Sequence, residues 1–113
     1  MNKYSKLLNT LGIKSTYLGY HYMVDALELA HQDPMYLVSL CSVLYPKIAE
    51  KYSTSTSNVE RDIRTIIDIH WREGNTELFE KLFHHSLKKK PTVGQFLDAL
   101  LTFFSDQNPD NFN

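Results

Sequence analysis

The sequence has one cysteine, four glycines and four prolines in 113 residues, and each scarcity excludes something. A single thiol, Cys41, cannot close an internal disulfide, and no basic stretch followed by a long apolar run opens the chain as a secretion signal does; a reducing cytoplasm is the expected setting. Lys, Asp, Glu or His interrupts every apolar stretch before it reaches the roughly 18 residues that span a bilayer, so no membrane segment is expected. Few glycines and prolines leave little punctuation for hairpins and ample room for helices. An excess of positive charge is also missing: 12 Lys and Arg stand against 13 Asp and Glu, a formal net charge of -1 that gives no global attraction to phosphates.

What is present is an ordinary globular balance, 42% hydrophobic and 22% charged, in a chain of the size of one domain with one modest core. The expected fold is all-α, a compact bundle of about six helices containing a helix-turn-helix, over 1–105, with a polar tail at 106–113 that frays from about Ser105 onward. A short helix over Lys3 to Leu11 ends at Gly12, where a left-handed cap is wanted. A second runs from Ser15 or Thr16 to His31 with Leu18, Tyr22, Met23, Val24, Leu27, Leu29 and Ala30 inward. Asp33-Pro34 reads as an N-cap followed by proline at the first helical position, starting a helix through Leu37, Leu40, Cys41 and Leu44. Cys41 is expected there as a small buried hydrophobe.

Pro46 to Tyr52 allows a two-turn helix with Ile48, Ala49 and Tyr52 on one side. The hydroxyl run from Ser53 to Ser57 then offers a cap at Ser55 or Ser57, the latter in capping-box spacing with Glu60. The next helix continues to Glu73, with Gly74 behind it. Further helices are expected at Thr76 to His85 and, announced by Pro91-Thr92, at Val93 to Phe104.

Function points to the segment from Tyr45 to Glu73. At 100° per residue from Val59, the side chains of Ile63, Ile66, Ile67 and His70 fall within about 80° of one line and must be buried. The opposite side carries Ser57, Arg61, Arg64, Thr65 and Asp68. A short helix with small Ala49, a brief hydroxyl turn and a longer helix with such a polar face is the helix-turn-helix plan. Arg61 and Arg64 can each offer a two-donor fork to guanine O6 and N7, and Glu60 can accept from cytosine N4. Hydroxyls between Ser53 and Ser57, with the amides of the helix start, suit phosphates. On pattern alone, Arg61, Arg64 and Asp68 serve equally well as a solvated face with an Arg64–Asp68 ion pair.

The blocks Leu11-Gly12-Ile13, Lys14-Ser15-Thr16-Tyr17-Leu18-Gly19-Tyr20, Val43-Leu44-Tyr45-Pro46-Lys47-Ile48-Ala49, Val59-Glu60-Arg61-Asp62-Ile63-Arg64, Trp71-Arg72-Glu73-Gly74-Asn75 and Lys90-Pro91-Thr92 shift that balance. Over roughly Leu8 to Phe104 the chain resembles the C-terminal DNA-binding effector domain of the sporulation master response regulator of Firmicutes. The resemblance implies a six-helix transcription regulator that binds double-stranded DNA at a TGTCGAA-like box, often as tandem copies occupied head to tail. It places Glu60, Arg61 and Arg64 at base-reading positions and Ser57 at a phosphate-contacting one. Thr65 joins the base-reading set where the family has His, and Asn58 the phosphate-contacting set where it often has Arg; Ser55 and Lys89 complete the latter. Asp62 stands where the family has Ala, an added carboxylate that weakens phosphate attraction.

Family members carry a receiver domain ahead of this one, and a chain numbered from Met1 favours a stand-alone form. A second reading is a protein-interaction module that pairs with a related regulator and binds DNA weakly, favoured by near-neutral charge and Asp62. Self-association is expected on tandem sites only, through the region Thr76 to Phe104 with Phe79, Phe83, Phe96, Phe103 and Phe104, because no heptad pattern offers a symmetric dimer. No cofactor is expected, and the five histidines with Cys41 lack metal-ligand spacing. No nucleophile–base pair suggests an enzyme. Lys88-Lys89-Lys90 reads as a solvated loop or a phosphate contact, and Trp71 as core packing.

Overall fold

A computed structural model describes residues 2–107; the expectation of a frayed tail beyond them lies outside the described residues. Its helices are α1 (Lys3–Thr10), α2 (Leu18–Gln32), α3 (Tyr45–Lys51), α4 (Thr56–Arg72), α5 (Thr76–Phe83) and α6 (Val93–Gln107), with no strand among the described residues. The last helix runs three residues past Phe104, so Ser105 to Gln107 are helical rather than frayed. None of these helices is long and apolar enough to cross a membrane.

Three helix ends use one device. After α1, Gly12 has φ +86°, its N–H reaches Asn9, and the Ile13 N–H reaches Leu8 at 2.9 Å. After α4, Gly74 has φ +66° and the Asn75 N–H reaches His70 at 3.1 Å. After α3, the same pair of bonds runs from Ser53 to Glu50 and from Thr54 to Ala49, but the left-handed position, φ +54°, is held by a serine. In each case a left-handed residue lets two successive amides turn back onto carbonyls that the helix leaves unpaired.

The stretch between α2 and α3 departs from the single helix expected from Asp33-Pro34. Asp33 does cap its start, its carboxylate accepting from the Met35 N–H at 3.0 Å, but only a four-residue 3-10 turn, Pro34–Leu37, follows. Leu40–Leu44 then forms a π-helical turn leading directly into α3. Pro46 explains the widening: it has no N–H for the Ser42 carbonyl and its ring crowds that oxygen, so one extra residue in the turn gives it room. The consequence is a rotation of the segment. Leu44 is buried, Leu37 and Leu40 pack half-buried on the core, and Cys41 is exposed, not the buried hydrophobe that its apolar neighbours suggest.

Helix α2 is the central element and packs on α1, α3, α4 and α6. Its start is two or three residues later than expected, which leaves Leu18 61% exposed instead of inward, while Tyr22, Met23, Val24, Ala26, Leu27 and Ala30 are buried. Tyr20 ties it to α1, its one hydroxyl hydrogen shared between the Ser5 carbonyl oxygen at 3.0 Å and Asn9 Oδ1 at 2.9 Å.

The tightest point lies between α2 and α4. A Cβ added at Gly19 would stand 2.0 Å from the Asp62 carbonyl oxygen and 2.9 Å from Ile66 Cγ1. The obstruction is helical backbone, which no side-chain rotation relieves. On the same inward side of α4, Val59, Ile63, Ile66 and Ile67 are at most 1% exposed, each contributing about 1.5–3 kcal/mol of burial. The expected fifth member, His70, is only half-buried; burial holds its pKa below the usual 6.5, with Lys14 adding to the shift and Glu73 opposing it.

Two outcomes follow for stability. Gly19→Ala gains about 1 kcal/mol of helix propensity and meets an overlap that costs more, so chemical denaturation is expected to show a net loss of at least about 2 kcal/mol. A more stable variant would mean that the helices cross less closely. For His70, the folded state binds its proton less readily than the unfolded chain; stability is therefore full above pH 6.5 and lost as pH falls through the lower folded value. Urea midpoints between about pH 7 and pH 5 are expected to fall in the wild type and to fall less in His70→Gln. Equal slopes would remove His70 as the cause.

Candidate nucleic-acid interface

The segment Tyr45 to Arg72 is built as a helix-turn-helix. Tyr45, Ile48 and Ala49 bury α3 against the body, and Ala49 is 5% exposed where α3 meets α4. Tyr52 to Ser55 form the turn, closed by the left-handed Ser53. Tyr52 is anchored from behind: its ring meets Tyr22 edge-on at 5.0 Å, and Lys51 Nζ sits 3.0 Å from Asp25 Oδ1. Asp25 is the one buried charged residue described. Burial and the charge of the neighbouring Asp25 carboxylate push the Tyr52 pKa up, so the phenol stays neutral.

Ser55 caps α4, its Oγ accepting from the Asn58 N–H at 3.1 Å. Ser57 does not take that role: it is already the second residue inside α4, so no capping box with Glu60 forms, and the Glu60 carboxylate pairs with Arg64 one turn along. The Asn58 side chain turns back to Thr54, Nδ2 donating to Oγ1 at 3.1 Å, which stiffens the turn and leaves it half-buried.

The outward face of α4 carries Ser57, Arg61, Arg64, Thr65 and Asp68, separated by at most about 100° around the axis, with Glu60 at its edge. The side chains of Arg61 and Arg64 are 67% and 53% exposed, so both guanidinium groups reach solvent. Each is held by a carboxylate of its own helix. Arg64 pairs with Glu60, and Arg61 Nε donates to Asp62 Oδ1 at 3.3 Å. The Arg64–Asp68 pair allowed by spacing is not made; Asp68 takes Lys90 at 2.5 Å instead. Thr65 donates its hydroxyl to the Arg61 carbonyl at 2.8 Å, which leaves that oxygen as an acceptor.

The sequence-based site residues therefore divide. Ser55, Ser57, Asn58, Glu60, Arg61, Arg64 and Thr65 lie on one helix and its cap, while Lys89 is exposed on the loop between α5 and α6. The Lys90–Asp68 contact, which no local pattern signals, ties that loop to α4 and brings Lys90 and Thr92 to the rim of a cleft shared with Arg64 and Tyr45. Burial, with the nearby Glu60 and Cys41, pushes the Tyr45 phenol up to about 12, against the opposing charge of Arg64. Trp71 packs as expected, half-buried and edge-on to Phe79 at 5.2 Å. Among the described residues, no three His, Cys, Asp or Glu side chains gather as a metal site.

Compared with known protein families, residues 4–103 of the 113 match the family described as Sporulation initiation factor Spo0A C terminal. The match takes in all of α1 except its first residue, both helices of the helix-turn-helix, α5 and most of α6. The chain therefore belongs to the Spo0A C-terminal family, whose members are DNA-binding domains of sporulation transcription regulators.

Proposed function

We propose that this chain is a sequence-specific regulator that reads a TGTCGAA-like box by laying α4 in the major groove of double-stranded DNA. The observation that carries the reading is the pair of exposed guanidinium groups, Arg61 and Arg64, on the one face of α4 that the core leaves open. A helix of this size fits that groove, and an arginine fork matches the O6 and N7 acceptors of guanine. Glu60 and the acceptor oxygen of Thr65 complement exocyclic amines such as cytosine N4.

Phosphate contacts fall to the ends of the unit. The Ser55 and Ser57 hydroxyls stand at the start of α4, where its first amides and its dipole favour an anion. Asn58 supports that turn from Thr54 and keeps its second amide hydrogen for a phosphate. Lys89, exposed on the loop that Lys90 tethers, supplies a point charge on the far side. With a formal net charge of -1, binding depends on this local arrangement and not on a global field. Adjacent boxes are occupied head to tail by copies that do not pair in solution, since such a contact buries unlike patches and needs no symmetric interface.

Titration of one-box, two-box and scrambled duplexes at several salt concentrations tests the reading. Arg61→Ala and Arg64→Ala are each expected to lose about 1–3 kcal/mol on the box and to relax preference for guanine at one position. Lys89→Ala is expected to weaken all duplexes alike and to lower the salt slope by about one. Equal losses on box and scrambled DNA for both arginine variants would reduce α4 to a phosphate-binding helix.

A further inference from the structure

The carboxylate of Asp62 is the one charged group on the base-reading turn that the proposed function leaves without a task. It lies at the boundary between the sealed and open faces of α4, its side chain 19% exposed, and it receives the Arg61 Nε–H at 3.3 Å. Neighbouring residues on a helix point about 100° apart, so the contact exists only because the long Arg61 side chain bends sideways to reach it.

The choice of nitrogen matters. A guanidinium has five N–H donors, of which the Nε–H points to one side and the terminal nitrogens form the fork used on guanine. Asp62 takes the Nε–H alone. The terminal nitrogens of Arg61 have no partner among the described residues. Arg64 is held the opposite way, one of its terminal nitrogens engaged by Glu60, so its fork opens only when that pair breaks or rearranges.

Resting on the reading of α4 as the base-reading helix, we infer that Asp62 is a specificity-determining residue that positions Arg61. It holds the guanidinium from the side with the fork free, and its negative charge penalises the alternative in which Arg61 swings to a phosphate. A guanine edge satisfies the fork without breaking the Asp62 contact. A phosphate approaching the same site meets a carboxylate. Asp62 therefore lowers general DNA affinity and raises preference for the box.

The side chain can be exchanged without touching the helix crossing, because Asp62 meets Gly19 through its backbone carbonyl. The experiment is equilibrium binding of box and scrambled duplexes to the wild type, Asp62→Ala, Asp62→Asn, Arg61→Ala and the Arg61→Ala/Asp62→Ala double variant. Asp62→Ala is expected to bind scrambled DNA more tightly and to lose about two- to fivefold in box preference, the range of an exposed ion pair. Asp62→Asn, which keeps the acceptor oxygen and loses the charge, is expected to gain general affinity while retaining more of the preference than Asp62→Ala. In the Arg61→Ala background, Asp62→Ala is expected to strengthen both duplexes equally.

If Asp62→Ala strengthens box and scrambled DNA by the same factor in the wild-type background, the carboxylate acts only as a repelling charge and the inference is overturned with the α4 reading intact. If preference falls equally with and without Arg61, Asp62 does not act through that residue and the inference is again overturned. A wild type that distinguishes no duplex overturns the reading of α4 and the inference together.

Discussion

The contact on which the rest of the molecule depends is the approach of the Asp62 carbonyl to the backbone of Gly19. Every residue with a side chain would put a carbon 2.0 Å from that oxygen, so the distance between α2 and α4 is fixed by an absent methyl group. Close approach at one point brings Val59, Ile63, Ile66 and Ile67 fully into the core on the same side of the helix. Once that face is sealed, the helix cannot rotate, and Arg61, Arg64 and Thr65 face outward by geometry. The position of the site is thus a consequence of core packing and needs no contact among its own residues.

Much of this was legible in the sequence because the signals were local. The isoleucine spacing of α4 identified its buried face, Gly12 and Gly74 marked two helix ends, and Asp33-Pro34 and Pro91-Thr92 marked two starts. Thr92 and Gln95 indeed cap α6 reciprocally at 3.0 and 3.2 Å. The third helix end was hidden because Ser53, not glycine, adopts the left-handed conformation; the cost is met by the two hydrogen bonds it closes and by the anchoring of Tyr52 behind it. The same limit applies to α5, which stops at Phe83 because His84 takes a left-handed φ of +63°.

What could not be read from the sequence depends on distant partners. The value of Gly19 lies wholly in a residue 43 positions away at Asp62, which no local pattern signals. Nor does a local pattern announce the widened turn that absorbs Pro46 and carries Cys41 outward. Ion-pair choice was equally non-local. Spacing offered Arg64 to Asp68, but Lys90 takes Asp68 and Arg64 pairs with Glu60. That choice both loads Glu60 onto Arg64 and fastens the loop bearing Lys89 beside the same helix. Near-neutral composition is compatible with the proposed nucleic-acid face: Arg61 and Arg64 are present and exposed, each beside a carboxylate of its own helix.

The central claim is that the open face of α4, fixed by the α2 crossing, is the surface that meets DNA. Amide chemical shifts recorded by NMR during titration with a box duplex test it most directly. The account predicts that the largest changes cluster at Thr54 to Thr65 with a smaller set at Lys88 to Lys90, while α1 and the buried face of α2 stay unchanged. Changes centred on Lys3 to Thr10 and Phe103, with Ser57, Arg61 and Arg64 unmoved, would contradict it.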